Sequence, residues 1–285
     1  MGKVAILTDS TAYLPDELLK QFAIAVVPLT IIWDGQTYLD GVDMRADDFY
    51  VRLAGSKSLP TTSRVTTAEM QAAFERLLEQ GCDVLGIFLS SKFSGTVQSA
   101  LQARTMLPHA ADRIAVVDSL TTTMAMGWPV LTAARAAQAG ENLVECRKVA
   151  ENARDHSGVL FVVDTLEFLR RGGRIGGAQA LLGSALNIKP VLEMRAGQIE
   201  SVEKIRTKGK AMERLLELSI ERIGGRTPLR VATVHANAEA EARSLLASAQ
   251  ARLSPIETLC CPLSPVIGTH AGPGTVALNY MAGVV

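Results

Sequence analysis

An excess of charge of one sign and long hydrophobic runs are both missing from this sequence. Its 29 basic residues balance 29 acidic ones, so nothing favours binding to nucleic acid or to an anionic membrane surface. The longest apolar stretches, such as residues 84–89, are far shorter than the roughly 20 residues that cross a bilayer. The apolar run at 4–7 is too short for a signal peptide. We therefore expect a cytoplasmic protein with no nucleic-acid partner and no membrane span.

Cysteine, histidine and aromatic residues are few. The four cysteines and four histidines show neither Cys-x-x-Cys nor His-x-x-x-His spacing, which predicts buried, inert thiols and no metal site. The glycine motifs of P-loop and dinucleotide-binding folds are missing, as is the Gly-x-Ser-x-Gly motif of α/β-hydrolases. With 5% aromatic but 48% apolar residues, the chain should fold around aliphatic cores in one large or two ordinary domains.

The first half of the chain predicts a parallel sheet with helices on its faces, because short β-branched runs alternate with helical patterns. A helix should begin after the Thr66-x-x-Glu69 capping box and end at Gly81. Strands are expected at 4–8, 24–32, 84–89 and 114–118, and further helices at about 95–107 and about 120–154 with a break at Gly140.

The second half has a different pattern, typical of an α+β domain with a mixed or antiparallel sheet. Apolar runs at 191–194 and 199–205 flank residues 195–198, which predicts a β-hairpin. Further strands are expected at 159–165, 229–235 and 256–262, and helices near 208–223 and 238–252. We place the boundary near residue 155, giving domains 1–155 and 156–285, and the cleft between them is the default ligand site.

Three loops rich in hydroxyl side chains, at 8–11, 60–63 and 90–96, follow strands or precede helices. In the third loop, Ser94 stands at an expected helix N-cap directly after a strand. Its hydroxyl and the following amides should then face the crevice where open α/β sheets bind ligands. Any one loop is explained by simple helix capping, but several that converge at strand ends favour a carboxylate or phosphate held by neutral donors.

Two further features remain open between a functional and a structural interpretation. His270 lies among glycines and threonines at 268–275, where the backbone can approach a ligand and the imidazole can donate to an anion; a structural histidine fits equally well. The glycine cluster at 172–177 does not follow a strand, so a tight turn is favoured over a phosphate loop. A basic cluster is either a docking face for an acidic partner or scattered solvated charge: Arg170, Arg171, Arg174, Lys204, Arg206, Lys208 and Lys210.

In chain order, the motifs of this sequence resemble the DegV family from end to end. The blocks that carry the resemblance are Thr8-Asp9-Ser10-Thr11-Ala12, Pro28-Leu29-x-Ile31, Asp34-Gly35, Tyr38-x-Asp40, Pro60-x-Thr62-Ser63, Leu89-Ser90-Ser91-x-x-Ser94-Gly95-Thr96, Val117-Asp118-Ser119, Leu166-x-x-Leu169-x-x-Gly172-Gly173-Arg174-Ile175, Lys189-Pro190, Lys204-x-Arg206 and Gly272-Pro273-Gly274-Thr275. Two segments depart from the family: Arg64-Val65 stands where Gln-Pro is common, and 120–127 lacks the commoner glycine pattern. These departures bear on details of the pocket.

The resemblance implies a two-domain fold that encloses a long-chain fatty acid such as palmitate between its domains. It also implies a carrier that has no catalytic residue and no cofactor, and that presents the carboxylate to a separate fatty-acid kinase subunit. By motif position the ligand-binding residues would be Thr62, Ser63, Ser94, Gly95, Thr96 and His270. Arg206 and Arg174 would face the kinase partner.

The apolar residues between 160 and 190 are candidates for the wall of an acyl-chain pocket, with plain core as the alternative. Burying about 14 methylenes at about 0.8 kcal/mol each gives roughly 11 kcal/mol before ordering costs. The tail would therefore dominate affinity, whatever holds the head group. The candidates are Leu166, Phe168, Leu169, Ile175, Leu181, Leu182, Leu186 and Ile188.

Two rival functions stay open at the level of sequence. The first is a hydrolase or acyltransferase that uses Ser94 with His270, although no aspartate can be named to orient the histidine. The second is an interaction module that responds to a bound lipid.

Overall fold

The computed structural model describes residues 2–182 and 188–284. The strands are β1 (Val4–Asp9), β2 (Ala25–Val27), β3 (Thr30–Trp33), β4 (Gln36–Leu39), β5 (Thr61–Ser63), β6 (Asp83–Phe88), β7 (Ile114–Asp118), β8 (Ser157–Val162), β9 (Val191–Arg195), β10 (Gln198–Glu203), β11 (Leu229–His235), β12 (Glu257–Pro262) and β13 (Val276–Ala282). The helices are α1 (Asp16–Gln21), α2 (Ala46–Gly55), α3 (Thr67–Glu79), α4 (Thr96–Thr105), α5 (Thr123–Gln138), α6 (Leu143–Asp155), α7 (Glu167–Arg171), α8 (Lys208–Ile223), α9 (Glu239–Leu253) and α10 (Pro265–Ala271). None of the described helices has the length and apolar character needed to cross a bilayer.

The first large sheet is parallel, as predicted, with the strand order β2-β1-β6-β7. The predicted capping box is confirmed at the start of α3, where the side chain of Thr66 caps the amide of Glu69 and the carboxylate of Glu69 caps the amide of Thr66. The prediction of one strand over 24–32 is wrong. Pro28 has no N–H for the strand ladder, so β2 ends at Val27 and the chain passes into a separate antiparallel sheet, β4-β3-β5.

The second large sheet is mixed, with the order β10-β9-β8-β13-β11-β12. Its predicted hairpin, β9–β10, is confirmed, and Ala196 and Gly197 have φ of 47° and 86°, as a two-residue turn with both central residues at positive φ requires. Strand β13 at the centre of the sheet was not predicted. Every residue of β13 is buried, so its sequence lacks the alternation of apolar and polar residues that marks a half-buried strand.

Helix α5 joins the two large sheets. Its residues from Thr123 to Ala134 are buried, because the helix packs on β1 and β6 of the parallel sheet and on β8 and β13 of the mixed sheet. Thr123 Oγ1 also donates a 2.7 Å hydrogen bond to Asn279 Oδ1 in β13. One hydrophobic core therefore runs through both predicted domains, and a second core lies under α8 and α9 on the other face of the mixed sheet. The domain boundary near residue 155 falls between α6 and β8 and stays a prediction.

Candidate functional site

A cavity of about 360 Å³ lies between the carboxyl ends of the parallel strands and the inner face of the mixed sheet. Open α/β sheets bind ligands at this edge, where the strand order reverses, and here the order reverses between β1 and β6. The apolar lining comes from both predicted domains: Leu29, Leu89, Phe93, Val159, Phe161, Leu169, Met194, Ile199, Leu263, Val266, Ile267, Ala271 and Ala277. The rest of the lining is Thr62, Ser63, Arg64, Ser94, Gly95, Thr122, Thr123, Arg174, His270 and Thr275.

The solvent-facing end of the cavity, which we call the mouth, is formed by Thr62, Ser63, Arg64, Ser94, Gly95, Arg174 and His270. Ser63 and Arg64 are exposed, whereas the other five are partly buried. Strand β5 contributes the first two, the turn after β6 contributes Ser94 and Gly95, and α10 contributes the histidine. Arg174 follows α7, so four parts of the chain that are distant in sequence meet at one opening.

At the mouth, Thr62 and His270 form a hydrogen bond, with 2.8 Å between Thr62 Oγ1 and His270 Nε2. His270 Nδ1 is buried and has no hydrogen-bond partner among the described residues. An orphaned buried N–H is rarer than an orphaned acceptor, so we assign the proton to Nε2, which then donates to Thr62. This arrangement leaves the Thr62 hydroxyl proton free for a ligand.

His270 is neutral at physiological pH. Burial, together with the positive charge of Arg174, lowers the pKa of His270 to about 4. Gly172 makes room for the ring, because a Cβ at that position would lie 2.1 Å from His270 Nδ1. The histidine therefore acts at the mouth as a neutral hydrogen-bonding group that fixes Thr62.

Ser94 lies in the turn that connects β6 to α4. The prediction that Ser94 is the helix N-cap is wrong: Gly95 occupies that position. The Ser94 amide instead donates a hydrogen bond of 3.2 Å to Ser90 O, which closes a turn before the helix starts. Its hydroxyl lies 2.9 Å from Thr96 Oγ1 and lines the cavity. Since His270 Nε2 bonds to Thr62, the serine–histidine pair of the hydrolase hypothesis is not formed.

The predicted ligand residues converge on this mouth with one exception. Thr62, Ser63, Ser94, Gly95 and His270 line the cavity, but the described lining does not include Thr96, which is fully buried behind Ser94.

The two predicted partner-facing arginines occupy different positions. Arg174 lines the cavity, and its guanidinium donates to Phe93 O and Gly172 O. Arg206 is exposed and stands outside the described lining. Much of the remaining basic cluster is neutralised locally, since Arg170 and Arg171 pair with Glu167 and Lys208 pairs with Asp164.

The apolar wall predicted from residues 160–190 is mostly core. Of the eight candidates only Leu169 lines the cavity within the described residues. Leu166, Ile175 and Leu181 are buried in the core, Phe168 and Ile188 pack against it, and Leu182 is 38% exposed. Leu186 lies outside the described residues. The apolar lining comes instead mainly from β8, the β9–β10 hairpin and α10.

Sequence reasoning missed several lining residues. Thr122 lines the cavity, and its hydroxyl is buried without a hydrogen-bond partner among the described residues. Thr122 lies in the turn after β7, as Ser94 lies in the turn after β6. A hydroxyl residue in the turn after a strand was therefore the sequence signal that could have identified it. Val266 and Ile267 lie in α10, whose Ser264-Pro265 start is a typical N-cap followed by proline.

Two buried carboxyl groups support the walls of the cavity. Asp9 accepts a 2.7 Å hydrogen bond from Leu89 N, at the start of the turn that carries Ser94. Asp40 Oδ2 accepts hydrogen bonds of 2.7 Å from Ser10 Oγ and 2.6 Å from Ser264 Oγ, the N-cap residue of α10. Burial raises the pKa of Asp9 to about 6 and that of Asp40 to about 7. The position of α10, and with it His270, therefore depends on a buried acid that is largely protonated in the acidic range.

An apolar cavity with a polar mouth between two α/β layers is typical of proteins that enclose a ligand with an apolar body and a polar end. The chain belongs to the DegV family: the family model described as "Uncharacterised protein, DegV family" matches residues 3–283. A DegV domain-containing protein of Listeria monocytogenes is 38% identical over 279 residues, which is 98% of each chain.

Solved structures agree with this assignment. A DegV family protein from Thermus thermophilus, whose structure is described as showing fatty-acid binding, matches this chain with a TM-score of 0.92 and 33% identity. The match covers 98% of this chain and 99% of the Thermus protein. DegV from Bacillus subtilis, described as a fatty-acid-binding protein, has a TM-score of 0.89 and 35% identity and covers 99% and 100%. The predicted α/β class, with one parallel and one mixed sheet, is confirmed.

Proposed function

We propose that this protein is a carrier that binds a long-chain fatty acid in the cavity and holds its carboxylate at the mouth. The observation that carries the proposal is the Thr62–His270 pair at the open end of an apolar cavity that lies beneath the parallel-strand ends. Two similar structures are described as fatty-acid-binding proteins, which supports the same class of ligand here.

The chemistry of the lining suits such a ligand. A tail of about 14 methylenes gains roughly 11 kcal/mol from burial before ordering costs. A hydroxyl that donates to a charged acceptor adds about 1.5–3 kcal/mol. Thr62, with its proton free, and Ser94 supply two such donors, so affinity comes mainly from the tail and orientation from the head.

We further propose that the carboxylate is presented to a separate fatty-acid kinase subunit. The mouth opens to solvent at Ser63 and Arg64, so a carboxylate held between Thr62 and Ser94 faces outward. Arg206, exposed and without an ion pair among the described residues, is the candidate contact for an acidic face of the partner. Neither step needs a nucleophile in this chain, and His270, whose pKa is about 4, is too weak a base to activate Ser94.

The ligand itself can be identified by denaturing extraction of the purified protein followed by mass spectrometry. The expected result is a saturated or monounsaturated fatty acid near one equivalent per chain. Extraction that yields no lipid, combined with failure of the lipid-stripped protein to take up added fatty acid, contradicts the proposal.

Removing either hydroxyl should reduce presentation of the carboxylate more than retention of the tail. For Ser94→Ala and for Thr62→Ala we expect about a tenfold loss in fatty-acid affinity and a larger loss of acyl phosphate formation with the kinase subunit and ATP, because the carboxylate loses its fixed orientation. Ser91→Ala is the matched control, since Ser91 is exposed and outside the described lining. Unchanged turnover in both cavity variants would refute the assignment of these donors.

A further inference from the structure

The charges that line the cavity do not balance. Its described lining contains Arg64 and Arg174 but no aspartate or glutamate. His270 adds no charge at neutral pH, because its pKa is about 4. Two guanidinium groups therefore stand in the lining of an otherwise uncharged cavity, in a chain whose net charge is zero. A cation beside an apolar surface is stabilised by a negative partner, and here the described chain supplies none.

Arg64 is placed directly over the turn that carries the predicted head-group donor. The space that a Cβ would fill at Gly95 is occupied by Arg64, whose Nη1 and Cδ lie 2.2 and 2.8 Å from that position. The guanidinium is thus beside Ser94 and on the solvent side of the cavity, since Arg64 is exposed. It forms no hydrogen bond or ion pair within residues 2–182 and 188–284, so its donors are available.

Arg174 differs from Arg64 in the use of its donors. Its Nε donates to Phe93 O at 3.2 Å and its Nη1 to Gly172 O at 2.7 Å. These bonds hold Phe93, which precedes Ser94, and Gly172, which lies beside His270. Arg174 therefore stabilises the backbone of the mouth. Arg174 thus bonds to the residue before Ser94, whereas Arg64 lies over Gly95, the residue after it. The guanidinium of Arg64 makes no comparable hydrogen bond among the described residues.

We propose that Arg64 selects the head group of the bound lipid, favouring an anionic head over a neutral head on the same tail. The inference rests on the proposed function, because it concerns a lipid in the same cavity. Arg64 acts from the solvent side by charge attraction and by its unused N–H donors, while Thr62 and Ser94 hold the carboxylate by neutral hydrogen bonds. The selection is therefore separable from tail binding.

The experiment compares a fatty acid with the fatty alcohol of the same chain length in lipid-stripped protein. Each lipid competes with a fluorescent fatty acid, and the result is the ratio of the two dissociation constants. Arg64→Gln is expected to reduce the preference for the acid about five- to twentyfold, with affinity for the alcohol unchanged. Arg64→Lys should retain part of the preference, since it keeps the charge but loses the planar fork. Raising the ionic strength should reduce the preference of the native protein more than that of Arg64→Gln, in which Arg174 is the remaining cation of the lining.

Arg76→Gln is the matched control. Arg76 is exposed on α3, outside the described lining, and the described residues provide it no ion pair, so its replacement should leave the ratio unchanged. An equal loss of both lipids in Arg64→Gln would show a structural role and overturn the inference, as would an unchanged ratio. If the native protein binds neither lipid, the proposed function itself fails. That result differs from an equal loss of both lipids and from an unchanged ratio, each of which overturns only the role of Arg64.

Discussion

Ala277→Phe is expected to abolish the proposed lipid binding and leave the fold intact. Ala277 lies in the central strand β13, is 4% exposed and lines the cavity, so a phenyl ring there takes space that four or more methylenes of the ligand would occupy. At about 0.8 kcal/mol per buried methylene the loss exceeds roughly 3 kcal/mol, or more than a hundredfold in affinity. Mass spectrometry after denaturing extraction should find little or no fatty acid in the variant.

The control for this substitution is Leu278→Phe, the neighbouring residue of the same strand. Leu278 points to the opposite face and packs in the core under α8 and α9. The Leu278→Phe substitution should lower the stability through overpacking, but the variant should still retain the lipid. Ala277→Phe fills space that the ligand would otherwise occupy, so its Tm should match that of the lipid-stripped native protein. A folded Ala277→Phe protein that carries fatty acid at the native stoichiometry would show that the ligand lies elsewhere.

Asp40→Asn should remove one large pH-dependent contribution to stability. Burial raises the pKa of Asp40 to about 7 from its ordinary 3.8, so between these pH values the unfolded chain releases a proton that the folded protein keeps. The contribution of Asp40 to the free energy of unfolding therefore falls by about 4 kcal/mol as the pH rises from about 4 to about 7. His270, whose pKa is lowered to about 4, contributes in the opposite direction over part of this range. Asparagine keeps an oxygen that accepts from Ser10 and Ser264 but does not ionise.

Urea unfolding across this pH range checks the prediction. Near pH 4 the variant and the native protein should have similar free energies of unfolding. The difference in favour of the variant should grow up to about pH 7 and stay constant above it. Asp112→Asn is the control, because Asp112 is exposed and its carboxylate forms no bond among the described residues. Parallel pH profiles for the native protein and Asp40→Asn would contradict a protonated Asp40 in the fold.

Elements whose signals are local were predictable from the sequence. The capping box of α3 involves residues three apart, and the β9–β10 hairpin turn involves residues that are adjacent. The strand–turn–helix order also placed Ser94 at the correct edge of the parallel sheet. Family membership followed from the order of the motifs, and the comparison over residues 3–283 confirms it.

Where local signals were ambiguous, the sequence left an element unpredicted or an alternative open. Strand β13 is buried along its length because both of its faces are covered, and Leu166 and Leu181 are apolar because they are core. Amino-acid type alone cannot distinguish residues that line a cavity from residues that fill a core, since both avoid water.

By itself, the sequence determined the types of most elements, the parallel edge with its hydroxyl-bearing turns and the membership of the family. The tertiary structure alone decided that Thr62 meets His270 across 208 positions, that Arg64 covers Gly95 beside Ser94, and that the lining comes mainly from β8, the β9–β10 hairpin and α10. The reason is physical: caps and turns are set by neighbours in the chain, whereas a cavity is set by how distant surfaces pack, and no short stretch of sequence encodes which two surfaces will face each other.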